Sequence, residues 1–403
     1  MIRLALLGFT IALAASAGGA ASPNPKDLAI PSAEMSRARD LVNKLASEEF
    51  DEREEAQDTL AKMGRLALPA LADGIKGNPS PEVRFRCQSL LPKAAQEDLQ
   101  ARLATFMADG GGKFEHDLAG WNEFNKIAGS SSASRAVFVE LLKEPTNRAL
   151  VLAIAGPANE LGNLIAARKQ EMYQMRFPRN PPVAGAAAAR KEQTVPDVIA
   201  LMFAESHVAS KHVPRAVATT IYNIAGLTAA VTDGGEKAAT YKAVVGHWIE
   251  TRDDAQTMYA AMNQATTMGL PKQGGAVAAK LVQLKGGTVV YRFYAAFAIA
   301  KNGSKEHLGV LESAFEDETG LAQNRVVNGM VQMSQLQMRD MALAAAVLLT
   351  GQNPDDFGLV EQFKNQPGMQ FMYSNWRLPD EKRKEAFEKW KAWRVKNPNF
   401  GKP

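Results

Sequence analysis

Apolar residues recur along the chain at the spacing of helix faces, and the segments carrying them come in pairs parted by short polar breaks. Across Glu82–Ala94, Val83, Cys87, Leu90, Leu91 and Ala94 fall at i, i+4, i+7, i+8 and i+11, one face of a 3.6-residue helix. Glu82, Arg86 and Gln88 occupy the other side. Leu68, Leu71 and Ile75 stripe the helix before it, and Asn78-Pro79-Ser80-Pro81 breaks the two, with Pro81 at a first-turn position where proline forfeits no hydrogen bond. The same grammar stands just upstream. Ala38, Leu41, Val42 and Leu45 stripe one helix, and Ala56, Leu60 and Met63 stripe the next. Helices this short are marginal alone, so the pattern predicts stacked hairpins that share a core.

The two copies share a frame. Arg53 and Arg84 stand 31 positions apart, each three residues before a small side chain, Ala56 or Cys87, and seven before an apolar one, Leu60 or Leu91. The frame recurs at Arg292, with Ala295 and Ile299, and at Arg339, with Ala342 and Ala346. A small residue at a fixed offset lets a paired helix approach, and larger apolar positions fill the space behind it. An arginine at a helix start runs against the helix dipole. A structural role is therefore expected, with each guanidinium bonding the turn or the carbonyls of the preceding repeat. The competing reading, a ladder of arginines gripping nucleic acid or another anion, requires them to share one exposed face.

These runs resemble a known family. Phe50-Asp51-Glu52-Arg53-Glu54-Glu55-Ala56 and Pro81-Glu82-Val83-Arg84-Phe85-Arg86-Cys87 are similar to second helices of HEAT repeats, and Ala67-Leu68-Pro69-Ala70-Leu71 to a first helix. The segments starting at Leu118 and at Arg339 resemble secreted HEAT-like proteins multiplied in planctomycete bacteria. The resemblance implies an all-α fold, an α-solenoid of HEAT-like helical hairpins. It carries over no catalytic residue.

The N-terminus changes the compartment. Arg3 precedes the short apolar run Leu4–Ala14, and small residues follow, which reads as a signal peptide cut after Ala17 or Ala21. The apolar run is shorter than a spanning helix needs. Residues 1–21 contain one of the 47 basic side chains and none of the 43 acidic ones, so the mature chain is close to neutral. A nucleic-acid-binding domain usually carries a basic excess or stripe, and neither is present. Cys87 is the sole cysteine and lies in an apolar stripe, so a buried thiol is expected and burial alone must hold the exported fold.

Further along, Gly110-Gly111-Gly112 falls between helical patterns and reads as a loop, not a phosphate cradle. Pro178, Pro181, Pro182 and Pro196 enclose an alanine-rich run that favours a long loop or linker. Helical patterns resume over Val198–Phe203, Ala216–Leu227, Tyr241–Glu250, Ala255–Met268, Lys272–Leu284, Val289–Ala300, Leu308–Phe315 and Met338–Leu349, with an irregular insertion, and room for another helix, between Glu316 and Gln337. The tail from Trp376 to Lys396 holds eight basic and four acidic residues, with Phe387, Trp390 and Trp393 at helical spacing. That suits a capping helix. Contact with an anionic membrane surface is the weaker alternative, given Asp380, Glu381, Glu385 and Glu388.

The expected organisation is a signal peptide at 1–21, a flexible leader at 22–34, HEAT-like repeats at 35–95, a helical continuation at 96–175, a Pro/Ala-rich loop or linker at 176–196, further repeats at 197–351 and a cap at 352–403. The histidines are scattered, with only His207 and His212 close in sequence, and their spacing matches no metal motif. Asp253-Asp254 reads as a helix start and Glu316-Asp317-Glu318 as a solvated run. No nucleophile signature appears. The functional reading is a non-catalytic exported scaffold, periplasmic or secreted, that binds protein and takes no cofactor, metal or nucleic acid. Two alternatives stay open: a self-associating structural component of the envelope, and an enzyme acting on the concave face, as HEAT-like DNA glycosylases do.

Overall fold

The computed structural model describes residues 21–177, 192–214, 219–222, 224–286, 288–327, 330–363, 366 and 368–402. The expected signal peptide, apart from residue 21, and most of the Pro/Ala-rich stretch lie outside this set. The described chain is mostly helical, and it divides into two compact units. The N-terminal unit runs to Leu118 and includes Ser130–Ala136; the C-terminal unit comprises Ala119–Gly129 and the chain from Val137 onward.

In the N-terminal unit, α1 (Ser32–Lys44), α2 (Phe50–Met63), α3 (Leu68–Gly77) and α4 (Pro81–Ala108) follow one another. Ser80 caps α4, its hydroxyl accepting from Val83 N, and Pro81 occupies the first turn. The four apolar stripes converge on one core that includes Val42, Leu60, Leu71, Val83 and Cys87. Helix α4 runs on through the polar stretch Leu99–Ala108 as a single 28-residue helix that carries Pro92 inside it. Buried Cys87 and Ala94 anchor the helix on both sides of the proline, so one missing ladder bond does not end it.

The C-terminal unit begins with α5 (Trp121–Ala128); α6 (Ser132–Lys143) starts in the first unit and ends in the second. Then come α7 (Pro145–Ala153), α8 (Ala158–Arg176), α9 (Val195–Glu205), α10 (Ala225–Thr232), α11 (Ala238–Glu250), α12 (Ala255–Thr267), α13 (Pro271–Gln283), α14 (Val289–Lys301) and α15 (Leu308–Ser313). Thr194 and Asp197 close a reciprocal capping box on α9. Helices α12, α13 and α14 pack as successive neighbours, and α14 also packs on α16 (Met338–Leu349). Gly303 and Gly351, both at positive φ, follow α14 and α16 and stop them.

Two stretches depart from the all-α expectation. Between α15 and α16 the chain forms an antiparallel hairpin, β1 (Gly320–Val327) with β2 (Met330–Gln337), where an irregular insertion with room for another helix was expected. The sequence signal for it was an Asn-Gly pair between valine-containing runs. A short pair, β3 (Val360–Glu361) with β4 (Trp376–Arg377), precedes the last helix, α17 (Asp380–Lys396). The expected helix Ala216–Leu227 is also not continuous: Thr219–Tyr222 is a 3-10 turn and α10 starts only at Ala225, while residues 215–218 and 223 lie outside the described set.

The tail helix spends its aromatic face inside the unit. Phe315 meets the rings of Phe387 and Trp390 edge-on at 5.2 and 5.7 Å. Trp390 Nε1 donates to Glu312 Oε1 at 3.1 Å, and Arg383 pairs in two-pronged fashion with buried Asp340 at 2.8 and 2.9 Å.

Candidate functional site

The four arginines of the repeat frame do not gather into one site. Arg53 and Arg84 lie in the N-terminal unit, whereas Arg292 and Arg339 lie in the C-terminal unit. Arg53 Nη1 donates to the carbonyls of Ser47 and Glu48 at 2.8 and 2.9 Å, and Arg84 Nη1 to those of Asn78 and Pro79 at 2.7 and 2.9 Å. Each is the fourth residue of its helix and reaches back past the helix start to the turn, which removes the conflict with the dipole. Arg148, fourth in α7 and outside the sequence frame, donates likewise to Leu142 O at 3.2 Å. Arg292 reaches Val282 O at 2.8 Å and Asp317 Oδ2 at 2.5 Å. Arg339 departs from the expectation: it bonds the side chains of Gln337 and Glu318, because it stands at the second position of α16, too early to fold back on the turn carbonyls.

Those contacts revise the acidic run. Burial alone would push the Asp317 carboxyl up, but Thr319 and Arg292 outweigh it and hold it below the usual carboxylate range. Asp254 does cap a helix, accepting from Gln256 N and Thr257 N at 3.1 Å. The triple-glycine loop is tied by Asp109, which accepts from Lys113 N at 2.8 Å, Phe114 N at 3.0 Å and His116 Nε2 at 3.1 Å.

The feature that sequence reasoning missed is a groove in the C-terminal unit. Ala239, Lys242, Ala243, Gly246, His247 and Glu250 fall at i, i+3, i+4, i+7, i+8 and i+11 of α11 and form its floor. The other side of α11 buries Val244, Val245, Trp248 and Ile249. Glu123, Lys126 and Ile127 of α5, His207, and Gly269, Leu270, Pro271 and Gln273 at and just before the start of α13 line the rest of a groove of about 930 Å³. Three small residues on one helix face were the available signal. Alone, however, such a stripe is equally a packing seam.

A buried ionic cluster ties α8 and α9 to the buried side of α11. Glu205, the last residue of α9, takes Lys169 Nζ at 2.5 Å on one oxygen, and Tyr222 Oη and Trp248 Nε1, both at 2.7 Å, on the other. Arg252 donates to Glu205 O at 2.6 Å and to Trp248 O at 3.0 Å. Burial would raise the Glu205 carboxyl, yet the charges of Lys169 and Arg252 prevail and keep it ionised; burial and Glu205 together push Tyr222 well above the usual phenol range. Beside Lys169, Arg168 pairs with Asp197 at 2.6 Å, so consecutive residues of α8 neutralise carboxylates near both ends of α9. The partners lie far apart in sequence, which is why no local pattern announced them.

His207 and His247 meet at this groove, whereas His212 turns to Asn159 Oδ1 at 2.7 Å. His207 Nδ1 lies 2.8 Å from Phe203 O; a carbonyl only accepts, so that nitrogen carries the proton. Burial, with His207 and Arg252 nearby, pulls His247 below the usual imidazole range against Glu250. Among the described residues no group of three or more His, Cys, Asp or Glu side chains is arranged to hold a metal ion, and no helix is long and apolar enough to cross a membrane. Comparison with protein-family models, with curated proteins and with solved structures returned no match.

Proposed function

We propose that this protein is a non-catalytic, exported scaffold, an α-solenoid of HEAT-like hairpins, that binds a partner protein and receives one of its segments in the α11 groove. The groove carries the reading: a helix face of small residues, Ala239, Ala243 and Gly246, the last covered by the Gln273 side chain, with side chains of both charge signs around it. Lys126 and Lys242 stand with Glu123 and Glu250, which suits an amphipathic segment bearing both signs. The backward grip of Arg53 and Arg84 on the turn before each helix, and of Arg148 on the last turn of the preceding helix, supports the hairpin-repeat reading.

The experiment is crosslinking of the mature protein in its native cell envelope, with mass spectrometry of what is attached, for the natural chain and for Ala243→Arg. A reproducible partner that disappears in the folded variant supports the scaffold reading. Recovery of no specific partner, or of the same one by Ala243→Arg, overturns it.

A further inference from the structure

We propose that the outer edge of β2 pairs antiparallel with the same edge of a second copy of this chain, building a four-stranded sheet across a two-fold axis. Among the described residues β1 and β2 form a sheet with no third strand. The register runs from Gly320 opposite Gln337 to Val327 opposite Met330 without a bulge, so the ladder is unbroken over eight pairs and both outer edges are long.

One backbone bond fixes which groups face outward. Met338 N donates to Thr319 O at 2.8 Å, while Thr319 N turns to Asp317 Oδ1 at 2.9 Å, so this pair makes one of its two bonds but sets the phase of the ladder: it is a hydrogen-bonded position, and opposed pairs two steps along belong to the same class. Leu321 with Leu336 and Gln323 with Ser334 therefore satisfy one another inside the ribbon. The residues between them, Val331, Met333 and Gln335 on β2, turn backbone N–H and C=O away from β1.

Edges of this kind are normally guarded by lysine, proline or a bulge. The β2 sequence Met-Val-Gln-Met-Ser-Gln-Leu-Gln has no charge and no proline, while β1 carries Arg325. Antiparallel pairing of β1 with its own copy brings two arginines to one small sheet, and pairing of β2 with β2 does not. An antiparallel edge is also its own complement under a two-fold rotation, which selects a second copy as the occupant. Centred on Ser334, the new ladder pairs Met333 with Gln335 of the second copy and sets the two Ser334 residues opposite each other at a non-hydrogen-bonded position, about 4.5 Å apart at Cα.

The test is sedimentation of the full mature chain beside Met333→Pro and Asn324→Pro. Proline at 333 removes an outward N–H of β2 and leaves the bonds of the ribbon intact; proline at 324 does the same on β1. The expected result is a reversible dimer, weakened about tenfold or more by Met333→Pro and unchanged by Asn324→Pro. Ser334→Cys gives a second readout that needs no proline: mild oxidation joins two chains through position 334, and Gln323→Cys does not, with buried Cys87 as the sole native thiol. A natural chain that is monomeric at its highest soluble concentration, a dimer indifferent to Met333→Pro, or equal loss in both proline variants overturns the proposal, as does a Ser334→Cys chain that stays uncrosslinked.

Discussion

The sulfur of Cys87 lies 2.9 Å from the point where a β-carbon on Gly74 would stand, and Val42 Cγ1 is equally close to that point. Helices α3 and α4 approach this tightly because one contributes no side chain and the other a small one. Gly74→Ala should destabilise the protein by about 1–3 kcal/mol through overpacking. In the double variant with Cys87→Ala, part of that loss should return, a non-additivity that urea unfolding of the four chains measures directly. Burial also pushes the Cys87 thiol up, so it should react with a thiol reagent only after unfolding.

Arg53 and Arg84 make the same two-carbonyl grip on the turns before α2 and α4, and that sameness separates them from Arg339. Arg84→Met should lower stability by about 1–2 kcal/mol, since two charge-assisted bonds to a half-buried turn are lost. Arg339→Met should change it by less than about 1 kcal/mol, because the Glu318 it pairs with is 67% exposed. Equal effects from the two substitutions would mean that the shared grip adds nothing beyond a surface ion pair.

The contrast shows what the sequence could carry. Local periodicity placed the core stripes of α1 to α4, because i, i+4, i+7 spacing is a property of one helix and needs no knowledge of its neighbours. The turn bonds of Arg53 and Arg84 were legible for the same reason, their acceptors lying only five and six residues upstream. The groove and the ionic cluster were not. Glu205 meets Lys169, Tyr222 and Trp248 only after four segments come together, and the face of α11 becomes a groove only because α5 and α13 pack beside it. The hairpin is faint for a different reason: its strands are largely polar, so they carry little periodicity, and Asn-Gly between valine-containing runs is the one local signal for a turn between strands.

Glu205 is 1% exposed and neutralises a lysine while accepting from a phenol and an indole. Glu205→Gln leaves Lys169 and Arg252 in the interior without their shared countercharge. A loss of about 3–5 kcal/mol is expected, in the range for breaking one side of a buried ion pair. Adding Lys169→Met should recover part of it, because a buried charge is removed together with its partner. Denaturant unfolding of the single and double variants checks both signs; an unchanged midpoint for Glu205→Gln would show that the cluster contributes no net stability.

His247 makes stability depend on pH in a definite direction. Its pKa in the folded chain lies below the ordinary value of 6.5, chiefly through burial and then through His207, with Glu250 opposing and Arg252 reinforcing the shift. Below that ordinary value the unfolded chain binds the proton more readily than the folded one, so stability falls as acid is added. The contribution is fully present above about pH 6.5 and is lost as pH drops through it towards the lowered folded value. His247→Asn, neutral at every pH, should flatten this part of the curve of stability against pH and leave the rest unchanged. Lys126, Lys242 and Glu123 line the same groove, so raised salt should weaken the dependence without reversing it. A natural chain whose stability is level or rising as pH falls from about 7 to 5 would contradict the assignment. An imidazole titration followed by NMR, comparing the natural chain with His247→Asn, identifies the residue responsible.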